Sequence, residues 1–202
     1  MTAPRVVLAS TSPYRRELLA RLRLPFDVAS PGTDESPRVG EAGIQLAQRL
    51  AREKAEAVAD RYPDRTVIGS DQVAMLESLR LDKPGTRDNA IAQLTRASGQ
   101  TVVFHTAVCM VSRHRSLLTE AVDTTSVTFR HLDAPLIERY VDLEQPFDCA
   151  GSAKVEGLGI ALIDGVETSD PTGLIGLPLI AVTRMLLQHG IGLMTRGSAS
   201  KS

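Results

Sequence analysis

Residues 5–16 read Arg-Val-Val-Leu-Ala-Ser-Thr-Ser-Pro-Tyr-Arg-Arg: a β-branched run, a hydroxyl-rich turn and the opening of a helix. Val6 and Val7 favour extended backbone. Ser12 offers the side-chain oxygen of a good N-cap, and Pro13 suits the first helical position. Leu18, Leu19 and Leu22 then gather on one face. A strand feeding directly into a helix is one step of a βα unit, so the expected class is α/β.

Outward from this stretch, strand-like and helix-like segments alternate. Phe26 to Ala29 reads as a second strand, followed by a loop with Pro31, Gly32, Asp34, Glu35 and Pro37. A long amphipathic helix is expected over Gly43 to Asp60, with Leu46, Leu50 and Val58 inward. Thr66 to Ser70 reads as a buried strand ending in Asp71-Gln72. Thr86 caps an expected helix over Arg87 to Ala97, closed by Gly99. Two extended stretches, Thr101 to Val111 and Val122 to Arg130, read as an antiparallel pair. A helix over Pro135 to Asp142, a strand over Gly159 to Ile163 and a helix over Pro178 to Gln188 complete the pattern. The sheet expected from βα units plus a long hairpin is mixed.

The 202 residues suit a single domain, read as 1–195, with the small polar ending 196–202 as a frayed tail. A hydrophobic fraction of 43% is ample for a core and excludes wholesale disorder. Twenty-three basic against 24 acidic residues give a net charge of -1. That leaves no general positive field for a polyanion, and 3% aromatics without Trp make a poor stacking platform, so a nucleic-acid partner is not expected. No apolar run is long enough to span a membrane. Two separated cysteines, Cys109 and Cys149, read as free thiols of a cytoplasmic protein.

Several stretches can carry chemistry. Ser10, Thr11 and Ser12 at a helix start, with Arg15 behind them, form a phosphate cradle without P-loop glycines, or simply a capped surface helix. Asp71 at a strand end can bind a divalent cation or act as a base toward water. Glu35 in the acidic loop can share that cation or stand solvated. Lys83, ahead of Pro84, and Lys54, at the margin of the long helix's apolar face, can each supply phosphate-directed charge. In Ala150-Gly-Ser-Ala-Lys-Val-Glu-Gly157, Lys154 and Glu156 are the strong polar groups, and Gly173 to Leu179 (GLIGLPL) reads as a turn that shapes a site's floor.

LASTSPYRRELL, the acidic-loop Asp-Glu, RLAREKA, GSDQV, DKP, the Ser98-Gly99 helix end, AGSAKVEGLG and GLIGLPL occur in that order. Together they resemble the Maf family of nucleoside triphosphate pyrophosphatases over about residues 5–190. The resemblance implies an elongated mixed sheet flanked by helices, two lobes around a central cleft, and a fold akin to ITPases. It implies hydrolysis between the α- and β-phosphates with a divalent cation, Mg, Mn or Co, as cofactor. Asp71 matches the family's general base or metal-bound carboxylate, Glu35 its acidic metal position, and Arg15, Lys54 and Lys83 its phosphate contacts. Tyr14, Gln72 and Glu156 stand where base choice is made, and aromatic, Gln and Glu there resemble the branch assigned to 7-methyl-GTP. An aromatic face attracts the methylated, cationic guanine, while Gln72 offers donor and acceptor and Glu156 accepts from the base. A homodimer is also implied. The alternatives are dTTP/UTP specificity and a non-catalytic nucleotide-binding regulator of septum formation.

Overall fold

The structure, a computed structural model, describes residues 5–194; the segment read as a frayed tail lies outside the described residues. β1 (Val6–Ala9) is buried throughout. Ser12 caps α1 (Pro13–Ala20), accepting from the Arg15 N–H at 3.4 Å, and Leu18 and Leu19 turn inward. β2 (Phe26–Ala29) lies parallel to β1. After α2 (Gly43–Ala59), β3 (Thr66–Leu76) pairs parallel with β1 over Thr66–Gly69 and then antiparallel with β4 (Leu79–Leu81). Then come α3 (Arg87–Ala97), β5 (Thr101–Ser112), β6 (Leu117–Phe129), α4 (Ala134–Glu144), β7 (Ile163–Glu167) and α5 (Leu179–Gln188). The seven strands form one mixed sheet in the order β2-β1-β3-β5-β6-β7, with β4 beside β3. The α/β class, the mixed sheet and the β5–β6 pair are as read from the sequence.

The core divides into three clusters. α2 packs Ala47, Ala51 and Ala55 against Val67 and Cys109 on one face of the sheet. On the other face, Leu8, Ile68 and Met110 meet Leu18, Leu19 and Leu186 from α1 and α5. Leu94 and Val141, from α3 and α4, cover Phe104 and Phe129 in the far half. The first two clusters make one lobe and the third the other, matching the expected two-lobed form.

Three readings are corrected. Asp71 is not at a strand end: β3 continues to Leu76, because β5 pairs with it from Thr66 to Met75. What ends near Asp71 is its neighbour. β1 leaves after Gly69 and β4 joins only at Ala74, so the β1-side edge of β3 has no strand partner over residues 70–73 among the described residues. Second, Leu158–Leu162 is a 3-10 turn rather than a strand, and the sheet is entered only at Ile163. The amides of Gly157 and Gly159 both donate to the Lys154 carbonyl at 3.0 Å, folding the chain back on itself. Third, β4 was missed, being only three residues long.

One glycine positions the site. A Cβ at Gly69 would lie 2.3 Å from the Ala51 carbonyl oxygen and 2.6 Å from the Ala55 nitrogen. Only glycine lets α2 lie so close to the β3 backbone. That contact brings Lys54, between Ala51 and Ala55 on the same buried stripe, over Asp71.

Candidate active site

The gap beside β3 opens into a cavity of about 560 Å³, within the range of small-molecule sites. Successive strand residues point to opposite faces, yet Asp71 and Gln72 both line this cavity. The missing strand neighbour explains this, since both faces of β3 open at its edge. Ser10, Ser12, Tyr14, Arg15, Glu35, Lys54, Asp71, Gln72, Lys83 and Glu156 all reach the same space, from separate stretches of chain. Lys154 does not line it.

At the start of α1, Ser10 Oγ accepts from the Ser12 N–H at 3.1 Å, and Ser12 Oγ from the Arg15 N–H. Those amides are therefore already paired. The hydroxyl protons and the guanidinium remain for an anion. Arg15 Nε donates to the Gly176 carbonyl at 2.8 Å. Gly176 has φ +122°, a conformation that favours glycine, and its carbonyl also accepts from Ser70 Oγ at 3.1 Å. GLIGLPL thus shapes the site's floor through its backbone. Burial draws the Arg15 pKa down, and the charges of Asp71 and Glu35 oppose that shift; the three groups face one another.

Lys54 is only 4% exposed. Its Nζ lies 2.6 Å from Asp71 Oδ1 and 2.6 Å from Glu35 Oε1. The sequence reading placed it at the edge of the apolar face, whereas the structure places it within the stripe Leu46, Ala47, Leu50, Ala51, Lys54, Ala55, Val58. Arg49 holds the loop that carries Glu35. It donates to the Ser36 carbonyl at 3.0 Å and to both carboxylate oxygens of Glu41, whose pKa it pulls down to about 2. Glu35 and Asp71 each bring a carboxylate oxygen to the Lys54 ammonium, and no group of three or more His, Cys, Asp or Glu forms a metal cage among the described residues.

The residues expected to set base choice are placed more specifically than their types suggest. Gln72 Nε2 donates to the carbonyls of Gly173 (3.0 Å) and Leu174 (2.9 Å) and contacts Thr106 Oγ1 at 3.0 Å. Carbonyl oxygens only accept, so the amide orientation is fixed. Gln72 was expected to offer donor and acceptor; its donor is taken by the protein, and Oε1 is what it can offer. Tyr14 Oη donates to Asp148 Oδ1 at 3.2 Å, and Lys154 Nζ sits 5.9 Å from the ring centroid. Burial, with Cys149 and Asp148 nearby, pushes the phenol pKa up. Glu156 and Lys83 are exposed at the cavity wall.

Arg80 and Asp148 also line the cavity and were missed. Arg80 Nε lies 2.7 Å from Asp82 Oδ1. Its alternation with Leu79 and Leu81 was the available strand signal. Asp148 had only its place beside the Ala150–Gly157 block.

The pattern of the family described as Maf-like protein matches residues 5–189. Three curated relatives named 7-methyl-GTP pyrophosphatase align along most of both chains. The Xanthomonas oryzae pv. oryzae protein is 56% identical, covering 94% of this chain and 99% of its own. The Polaromonas protein is 54% identical, covering 95% and 88%. The Pseudomonas aeruginosa protein is 52% identical, covering 93% and 98%. Among solved structures, the Staphylococcus aureus Ham1 protein shares 17% identity at a TM-score of 0.45, over 62% of this chain and 72% of that one.

Proposed function

The chain belongs to the Maf family, and from that membership we propose that it hydrolyses the α–β phosphoanhydride of 7-methyl-GTP, releasing 7-methyl-GMP and pyrophosphate. The relatives' names support the substrate and the reaction. The observation that carries the reading is the meeting of Asp71, Glu35, Lys54 and Arg15 in one nucleotide-sized cavity.

Phosphoryl transfer asks a protein mainly for positioning and charge neutralisation. The donor set suits a divalent cation by its chemistry: Glu35 and Asp71 are hard oxygen donors brought to the same Lys54 ammonium, and Glu35 is more than half exposed at its side chain. Glu35 and Asp71 would hold the ion, leaving other positions to water and phosphate oxygens, as Mg²⁺, Mn²⁺ or Co²⁺ accept. When bound, such an ion withdraws charge from a phosphoryl oxygen and acidifies a ligating water.

The chain's own groups supply the rest. Asp71 orients the attacking water and accepts its proton. Lys54 fixes the carboxylates from below and adds charge. Arg15, with the Ser10 and Ser12 hydroxyls, binds phosphate oxygens from α1, and Lys83 does so from the β4–α3 loop. The ring of Tyr14 faces the base, while Gln72 Oε1 and Glu156 accept from the guanine N1–H and amino group. Family membership also supports one catalytic domain over 1–195 and a homodimer. Two free thiols are consistent with a reducing cytosol, and among the described residues no helix is long and apolar enough to cross a membrane.

Pyrophosphate release from 7-methyl-GTP, GTP, UTP and dTTP, with Mg²⁺, Mn²⁺ and Co²⁺ compared, tests this. The expected result is metal-dependent release with the highest kcat/KM on 7-methyl-GTP. Equal rates on UTP would defeat the base assignment, and nucleotide binding without release would defeat the reaction.

A further inference from the structure

Two carboxylates of the cavity lining, Asp82 and Asp148, have no part in the roles above; Asp82 is taken by Arg80, which leaves Asp148. Asp148 lies in the loop after α4, its Oδ1 accepting from Tyr14 Oη at 3.2 Å, and it lines the same space as Gln72 and Glu156. Its loop is anchored rather than free. The Gly85 N–H donates to the Phe147 carbonyl at 3.0 Å, the Cys149 N–H to the Pro146 carbonyl, and the Ser152 N–H to the Cys149 carbonyl at 3.1 Å. The Asp148–Tyr14 bond therefore spans the cleft, linking α1 on one lobe to the α4 side of the other.

We propose that Asp148 determines specificity for a cationic base, by holding the Tyr14 ring in place and by setting a negative charge beside the base. The inference rests on the 7-methyl-GTP reading and deepens it. A phenol that donates to a carboxylate has a more electron-rich ring, and such a ring binds a cation more strongly. The surroundings make this necessary. Lys154 Nζ already sits 5.9 Å from the Tyr14 centroid, a positive charge that by itself disfavours a methylated guanine. Glu144 takes the Lys154 ammonium at 2.9 Å and offsets part of it. Asp148, directly on the phenol, tips the balance toward a cation. Uncharged guanine gains far less from the same carboxylate, so the effect belongs to the ratio of the two substrates.

Asp148→Asn keeps an acceptor for Tyr14 Oη and removes the charge. Its expected effect is a loss of about fivefold in the ratio of kcat/KM for 7-methyl-GTP over GTP, the size of one partly screened charge contact. Most of it should lie in a raised KM for the methylated substrate. Tyr14→Phe keeps ring and carboxylate but cuts their bond, and should lower the ratio by a smaller factor, roughly threefold. A ratio that stays within about twofold of wild type in Asp148→Asn, with both substrates slowed alike, would assign the residue a structural role and overturn the proposal. Calorimetric binding of 7-methyl-GMP and GMP separates this from the substrate reading. A wild-type enzyme that prefers UTP defeats that reading, while an unchanged 7-methyl-GMP to GMP ratio in Asp148→Asn defeats the inference.

Discussion

Burying an ammonium is costly unless carboxylates meet it, and Lys54 meets two at 2.6 Å. Its side chain is 5% exposed and that of Asp71 8%, so each is the main compensation for the other. The two are not equivalent. Asp71→Asn leaves Lys54 its contact with Glu35, whereas Lys54→Met leaves two carboxylates facing each other. Lys54→Met should therefore cost about 2–3 kcal/mol in urea unfolding, less than a fully dry pair because the cavity admits water. Asp71→Asn should cost less, and the double variant should be more stable than Lys54→Met alone. Turnover reads differently. Asp71→Asn should lower pyrophosphate release by roughly 10²–10⁴-fold, the usual contribution of a general base, with an unchanged circular dichroism spectrum. Near-wild-type turnover would remove Asp71 from the chemistry.

At the scale of elements, α5 shows how a helix is started from a distance. Pro178, at its N-cap, contributes no side-chain bond. Buried Asp170 does this instead: its Oδ2 accepts from the Ile180 N–H at 2.6 Å and the Ala181 N–H at 3.2 Å, and Oδ1 from Thr172 Oγ1 at 2.7 Å. A carboxylate there also meets the positive end of the helix dipole. Asp170→Ala should cost about 2–3 kcal/mol in denaturant midpoint terms, since buried amides lose a charged partner. It should also loosen residues 173–176, whose carbonyls hold Gln72 and Arg15, and so raise KM. The same device marks a boundary of sequence reading. Local signals such as the Ser12 cap, Pro13, the Thr86 cap and the stripe of α2 were legible because partners lie within one or two turns. Asp170 was not, because the helix amides it caps are ten and eleven residues away. Asp71 was read at a strand end, but the end lay on β1, and only pairing reveals which neighbour stops. Gln72 could be placed in the site but not oriented, because its donors answer to carbonyls more than a hundred residues on.

Over the whole molecule, a net charge of -1 left any basic site to be local, and the cavity is less basic than its candidate phosphate-binding residues suggest. Its lining carries four cationic side chains, Arg15, Lys54, Arg80 and Lys83, against five acidic ones, Glu35, Asp71, Asp82, Asp148 and Glu156. Two of those cations are already paired, Lys54 with Glu35 and Asp71, and Arg80 with Asp82. A triphosphate brings about four negative charges near neutral pH. Arg15 and Lys83 alone do not balance it, so on the proposed function divalent charge would serve to admit the triphosphate as well as to activate water. Metal removal should then affect binding as well as turnover. With EDTA, pyrophosphate release should cease and the affinity for the triphosphate should fall by about tenfold or more. Binding of 7-methyl-GMP, with less charge to neutralise, should weaken much less. Calorimetry with and without the chelator measures both. A triphosphate that bound equally well in its presence would show that protein cations suffice, and would confine the metal to the chemical step.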